Sequence, residues 1–421
     1  MEAAEEIAWL ARRVGWGLAP GELDRLTDEG TDSVLDELVD PSGAGLVAST
    51  PPFAGFVSAG PEQRQEDALV VLDLWLDHLL TTSRPLEDAI AWFWHDHFAV
   101  SFQVVRYLPA MLDHLELCRS LGRGDVRELI RQVTTDPAML VFLDGATSTG
   151  ESPNENFGRE LLELYTVGIN NFTEADVRAA TVALTGWVVR PRSGYKARFV
   201  PRRHDDTPQT LLGVDGVHDV DTTIAAVTSS PACPVFIAAK LGRYLLGDID
   251  TTTIFELGSV FEAADLDVSA LTRAILTTGV AGHASPTVAA PLPWLLQSIA
   301  STGARVETAA LIRALRLLGQ LPANPPNVGG YPGASTWLAS SATAARFSVA
   351  TDLARRTPAD APALVAARDG DWARLADLLL RPGGFSAPTL AALADLDRSV
   401  TVRPGEGALA LALASPDLLI A

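Results

Sequence analysis

Three segments carry residue types that can do chemistry. The first is Trp92-Phe93-Trp94-His95-Asp96-His97-Phe98. Two imidazoles around a carboxylate can hold a metal, move protons, or satisfy one another inside a core. In the second, Pro153 to Gly168, Asn156, Glu160 and Glu163 fall at i, i+4 and i+7 of a helix, with Arg159 beside them. Two carboxylates one turn apart plus an amide are oxygen donors on one face, as a carboxylate metal site in a helical protein requires. The same stripe also fits an ordinary solvated helix face. The third, Phe199 to Gly213, holds Arg202-Arg203-His204-Asp205-Asp206 on a polar loop. It offers an imidazole and two carboxylates, with arginines that could hold an anionic substrate or pair with the acids.

These side chains need elements to position them. Ser83-Arg84-Pro85 followed by Glu87 and Asp88 predicts a helix from Pro85 to about Val100. At 100° per residue its aromatics point to several sides, so the helix is expected to be buried nearly all round. His95 and His97 then point about 200° apart and cannot both ligate one ion on an unbroken helix. Asn154 is the expected cap of the second segment and Gly168 its stop. Asp125 with Glu128, Asp136-Pro137 and Thr173 with Asp176 open further helices. Later ones are expected across 222–227, 235–246, 254–264, 268–277, 306–318, 334–357, 372–380 and 388–396. Strand signals are few: Trp187 to Val189 and Ala197 to Val200 could pair as a hairpin around Arg192-Ser193-Gly194. The expected fold is mainly α, a large multi-helix assembly with at most a small β-hairpin near 187–200. An N-terminal helical part, 1–210, carries the motifs. A C-terminal helical part, 211–421, packs on it as one continuous unit. The Gly329-Gly330-Tyr331-Pro332-Gly333 loop is expected to return to the motif region.

Composition narrows the function. The chain has 421 residues, with 32 basic and 52 acidic side chains, so its formal charge is 32 − 52 = −20. That excess repels polyphosphate and argues against nucleic acid as a partner. Hydrophobic residues make up 48%, which excludes disorder of the whole chain. No apolar run reaches the roughly 18 residues of a membrane helix, and Ile224 to Ile237 is interrupted by Ser229, Ser230, Pro231 and Pro234. Membrane is therefore not an expected partner. Cys118 and Cys233 cannot make a disulfide framework or a thiolate zinc site. The acidic start, Met1-Glu2-Ala3-Ala4-Glu5-Glu6, is unlike a secretory signal, and a cytoplasmic location is expected. Lys196 and Lys240 are the only lysines, which reads as genomic base-composition bias.

The ordered motifs resemble a bacterial family, domain of unknown function 1800. They are Ala11-Arg12-Arg13-Val14-Gly15-Trp16-Gly17, Phe93 to Val100, Asp136-Pro137-Ala138-Met139-Leu140, Pro153 to Leu164, Ala183-Leu184-Thr185-Gly186-Trp187, Pro325 to Gly333, and Trp337. The resemblance covers nearly the whole chain. It implies a mostly helical protein and a companion sulfatase-like or phosphatase-like partner, with many members resembling exported proteins. This chain departs from the family pattern at Tyr165 and at Ser230, where a histidine is usual. It also departs after His204-Asp205, where a glycine and a lysine are usual. The match to a family motif raises the functional reading of Asn156, Glu160, Glu163, His95 and His97.

The expectation that follows is an enzyme with a metal-supported site, a hydrolase or an oxidoreductase. Glu160 and Glu163 are the expected carboxylate ligands, with His95 (or His97) and His204 as imidazole donors. His97, Glu155 and Asp205 are the expected catalytic groups, and Asn154, Asn156, Arg159 and Arg203 the substrate contacts. Mixed oxygen and nitrogen ligands suit iron, manganese or zinc, which activate water or dioxygen. No phosphate-binding glycine loop or nucleotide fingerprint indicates a nucleotide cofactor. The alternative is a non-catalytic helical scaffold that binds a partner enzyme, its polar motifs a buried hydrogen-bond network.

Overall fold

Pro85 does open the aromatic helix, Pro85–His97, and burial reaches almost all of its faces. The structure, a computed structural model, describes residues 2–41, 51–58, 60–190, 194–396 and 403–420. Trp94 is fully buried, donates its indole N–H to Gly122 O at 2.7 Å and stacks on Phe98. Burying each apolar side chain of this size contributes roughly 1.5–3 kcal/mol. Glu87 and Asp88, the first-turn acids that the sequence suggests, are also buried anchors. Glu87 pairs with Arg119 of the helix Leu108–Leu121, and Asp88 with His78 of the helix Arg64–Thr81. The helix stops at His97, short of Val100, because Phe98 leaves helical geometry.

Capping signals translate directly into structure. Asp125, Asp136 and Thr173 accept from Arg127 N, Met139 N and Asp176 N. Of these three, Thr173 with Asp176 closes a reciprocal capping box, as Asp219 with Thr222 also does; Glu128 accepts from Gln132 instead. Asn154 accepts from Asn156 N and starts the helix Glu155–Glu160. That helix then widens into a π-helical turn, Leu161–Thr166. Gly158 lets it touch the helix Glu174–Ala183: a Cβ there would meet Thr181 N at 3.0 Å. The single helix expected across 334–357 is broken at Ala339 into a 3-10 segment Ala334–Leu338 and the helix Ser340–Arg356.

The strands make two two-stranded antiparallel sheets. Trp187–Val189 (β1) pairs with Ala197–Phe199 (β2), with Val188 opposite Arg198, which is the expected hairpin. Its expected tip at Arg192 and Ser193 lies outside the described residues. A second hairpin, Gln209–Leu211 (β3) with Val214–Val217 (β4), was not expected. Its turn puts Leu212 and Gly213 at positive φ, and Asp176 holds Leu212 there by accepting its N–H at 2.7 Å.

Among the described residues no single helix is long and apolar enough to cross a membrane. The apolar pair Val220–Ser229 and Ala232–Leu246 is bent by 78° at its break. The chain is mainly α-helical, and parts distant in sequence meet over the aromatic helix. The helices Ala3–Val14, Ala232–Leu246 and Pro291–Thr302 surround it with the Gly329–Gly333 loop.

Candidate functional site

A cleft of about 550 Å³ opens where these pieces meet. Its floor is Asp96, between the inward-facing His95 and His97. Tyr331 N–H donates to Asp96 Oδ1 at 2.6 Å, and the Tyr331 ring stacks on Trp92 at 5.6 Å. Tyr331 Oη donates to Leu321 O at 2.6 Å. The returning loop expected from sequence is therefore pinned directly to the aromatic helix. Gly330 makes this approach feasible: its φ is +90°, and a Cβ would lie 2.3 Å from Asp96 Oδ1.

Around Asp96 the cleft is positive. Arg12 and Arg13 come from the helix Ala3–Val14, and Lys240 and Arg243 from Ala232–Leu246. The Lys240 ammonium donates to Leu164 O at 3.3 Å and lies 5.5 Å from the Phe236 ring centroid. Arg13 donates to Ser285 O at 2.8 Å, and Arg12 to Leu380 O. Burial first, then the charges of Arg381 and Arg13, push Arg12 down to about 9. Burial and Arg381 push Arg13 down to about 10. Burial also lowers the Lys240 ammonium, against the pull of Asp96. Burial drives the Asp96 carboxyl up to about 6, although the Tyr331 N–H and Lys240 both favour its charged form. The indole N–H groups of Trp16 and Trp337, two further wall residues, are buried without a hydrogen-bond acceptor among the described residues.

The two histidines are held in opposite tautomers. His97 Nε2 faces Tyr165 O at 3.0 Å; a carbonyl only accepts, so Nε2 carries the proton and Nδ1 is a bare lone pair. His95 Nε2 accepts from Ala323 N at 3.2 Å, so the proton sits on Nδ1. Burial holds both imidazoles neutral: His95 is down at about 3, and His97 well below its usual value with Lys240 adding to the effect. They point to opposite sides, as the helical spacing requires. His97 lines the cleft; His95 lies among Trp75, Trp92 and Tyr331.

The remaining expected site residues sit elsewhere. Arg159 is at the surface, paired with Glu174 and Glu155. Asn154 and Asn156 reach the carbonyls of Asp144 and Leu143, each at 3.4 Å. Glu160 and Glu163 are half-buried, and burial followed by the Glu163 charge raises the Glu160 carboxyl. His204 Nδ1 donates to Thr185 O at 3.0 Å, while Asp205 accepts from Thr207 N. Arg203 donates to Thr147 O at 3.4 Å and accepts Gly150 N on its carbonyl, docking the His204 loop beside the segment before Asn154. The two motif helices do meet, but through the Tyr165 carbonyl, which takes His97; the neighbouring Leu164 carbonyl takes Lys240 of the helix Ala232–Leu246. Among the described residues no group of three or more His, Cys, Asp or Glu is placed to hold a metal. His95, Glu160, Glu163 and His204 therefore do not assemble as ligands. The His95 Nε2 lone pair is already occupied by Ala323 N–H, and the π-turn moves Glu163 off the stripe that an unbroken helix would give.

The sequence singles out the His95-Asp96-His97 segment but does not mark Arg12, Arg13, Lys240 or Tyr331 as site residues. A lysine inside an otherwise apolar helical stretch, in a chain with two lysines, was the available signal.

Fold and site together define a mainly helical protein with an aromatic-walled, cationic cleft over one carboxylate. The chain belongs to the family described as protein of unknown function DUF1800, which matches residues 9–420. No curated protein and no solved structure matches it.

Proposed function

We propose that the protein is an enzyme acting on a small anionic compound held in this cleft, with Asp96 as the proton carrier. One observation carries the reading. In a chain of net charge −20, the cleft walls hold four cationic side chains and Asp96 as their one carboxylate. Arg12, Arg13 and Lys240 are largely withdrawn from solvent while Arg243 is exposed, and like charges withdrawn together favour binding of an anion. Indole N–H groups with no acceptor fit an acceptor-rich ligand, such as a carboxylate, sulfate or phosphate. A carboxyl whose pKa is near the working pH can both give and take a proton. His97 lines the same cleft as a neutral imidazole, with its Nδ1 buried and without a hydrogen-bond partner among the described residues. Three of the family motifs meet here: Ala11 to Gly17, Phe93 to Val100, and Pro325 to Gly333 with Trp337.

The test is sulfate titration, because the charge of sulfate stays constant across the pH range used. Below about pH 6 Asp96 is neutral and the cleft is most positive. Above it the carboxylate repels the ligand. Sulfate affinity should therefore fall as pH rises from 5 to 7.5. Asp96→Asn should flatten that dependence, and Arg12→Gln should weaken binding roughly tenfold, about 1.4 kcal/mol. Calorimetry showing no sulfate binding, or binding indifferent to Arg12→Gln, would defeat the proposal.

A further inference from the structure

We propose that Lys240 is an imine-forming amine, and that the anion of this cleft is a 2-oxo acid whose carbonyl carbon Lys240 attacks. The inference rests on the anion-site reading and adds to it the class of compound bound.

Placement is the first argument. Lys240 sits on a helix whose neighbouring residues Ala238, Ala239 and Leu241 are buried, and its side chain extends into the cleft. A lysine there has a desolvated stem and head, the setting in which an amine becomes a nucleophile near neutral pH. Among the described residues its ammonium has one hydrogen bond, to Leu164 O, and no ion pair within 4 Å. A lysine serving only to neutralise Asp96 would be drawn onto that carboxylate. Here Asp96 Oδ1 is engaged by the Tyr331 N–H, and the carboxylate and the ammonium influence each other's ionisation without touching. Both groups line the cleft, one as an amine and the other as a proton carrier.

The surroundings supply the rest of the reaction. The neutral Lys240 amine adds to the carbonyl carbon, forming the C–N bond as the C=O π pair moves to oxygen. Neutral Asp96 protonates that oxygen. Its carboxylate then takes a proton from the nitrogen and passes it to the hydroxyl, which leaves as water and leaves a protonated imine; the Asp96 carboxylate regains its own proton from that imine nitrogen. Amine and carbonyl become imine and water; two hydrogens leave nitrogen, oxygen receives both, and nothing is oxidised or reduced. A carboxylate next to the carbonyl would face Arg12, Arg13 and Arg243. Trp92, Phe93 and Tyr244 give an apolar wall that slows loss of the imine to water.

Composition makes the test clean, since the chain has two lysines and Lys196 is exposed on the surface. The full-length protein is incubated with pyruvate and sodium cyanoborohydride, and the adduct is located by peptide mass mapping. The expected result is one adduct on Lys240, formed at least tenfold faster than on Lys196 or with acetone. It should be lost in Lys240→Arg, retained in Lys196→Arg and slowed roughly tenfold in Asp96→Asn. Circular dichroism checks that each variant is folded, and pyruvate protection by sulfate reports the shared site. If sulfate still binds but Lys240 reacts no faster than Lys196, the imine role is overturned and the anion site stands. If sulfate binding is also absent, both readings fall.

Discussion

Asp136→Ala should destabilise the protein on the order of 3–5 kcal/mol, the cost typical of breaking a buried charged pair from one side. His114 is fully buried, and both ring nitrogens face acceptors. Nδ1 lies 3.1 Å from Asp136 Oδ2, and Nε2 lies 3.1 Å from Phe98 O. Two acceptors demand two N–H donors, so the ring is an imidazolium. Burial opposes that charge. The Cys118 side chain and the hydrogen-bonded Asp136 carboxylate outweigh it, and the pKa lies well above the usual imidazole value. The cation also faces the C-terminal carbonyl end of the aromatic helix, while Asp136 caps the next helix through Met139 N. One pair thus fixes the end of the helix that carries Asp96. A histidine with a raised pKa contributes stability fully below its unfolded value of about 6.5 and loses it as pH rises toward the folded pKa. Wild type should therefore lose stability steadily above about pH 6.5, and Asp136→Ala should lose that slope. Urea unfolding at pH 6 and pH 8.5 measures both. Asp136→Asn keeps a cap acceptor and should fall between the two. Equal slopes in wild type and Asp136→Ala would show that the ring is neutral.

The sequence carries the helical fold plainly wherever a helix starts with a side-chain cap. Asp125, Asp136, Asn154 and Thr173 hold the backbone amides their positions suggest. Pro85–His97, Ala232–Leu246 and Thr308–Leu318 were legible without one, whereas other helices with no such cap went unmarked, including Ala3–Val14, Arg64–Thr81, Leu108–Leu121 and Pro291–Thr302. Two of these build the cleft, so its cations looked unrelated in the sequence. The aromatic helix was legible as buried on most sides, because aromatics at consecutive positions cannot share one face. Which polar group of His95-Asp96-His97 would meet solvent was not, since that depends on a loop more than 200 residues away. The Asn156, Glu160, Glu163 stripe misled for a local reason. Its periodicity assumed an unbroken α-helix, and the π-turn at Leu161–Thr166 spends its C-terminal carbonyls on Lys240 and His97.

Gly330→Ala should disable the cleft while leaving the helical core folded. At φ +90° an alanine is strained by roughly 1–2 kcal/mol on backbone grounds alone. Its Cβ would also lie 2.3 Å from Asp96 Oδ1 and 2.7 Å from Asp96 O; the second is backbone, and the first is tied to Tyr331 N–H. The loop must lift, and the Tyr331 N–H bond to Asp96 goes with it. Asp96 then loses the hydrogen bond that favours its ionised form, and its pKa should rise further. Tyr331 comes off Trp92, and the wall ending in Trp337 opens. Measured near pH 5, where Asp96 is mostly neutral with or without that hydrogen bond, sulfate affinity should drop roughly tenfold, with the helical circular dichroism signal retained. The matched control is Gly333→Ala in the same loop. Its φ is −69°, and no atom stands within 4 Å of the added methyl, so binding should match wild type. Equal affinity for the two alanine variants would mean that the loop does not shape the anion site. A selective loss at Gly330 would instead tie ligand binding to one backbone contact between the Pro325 to Gly333 motif and the aromatic helix.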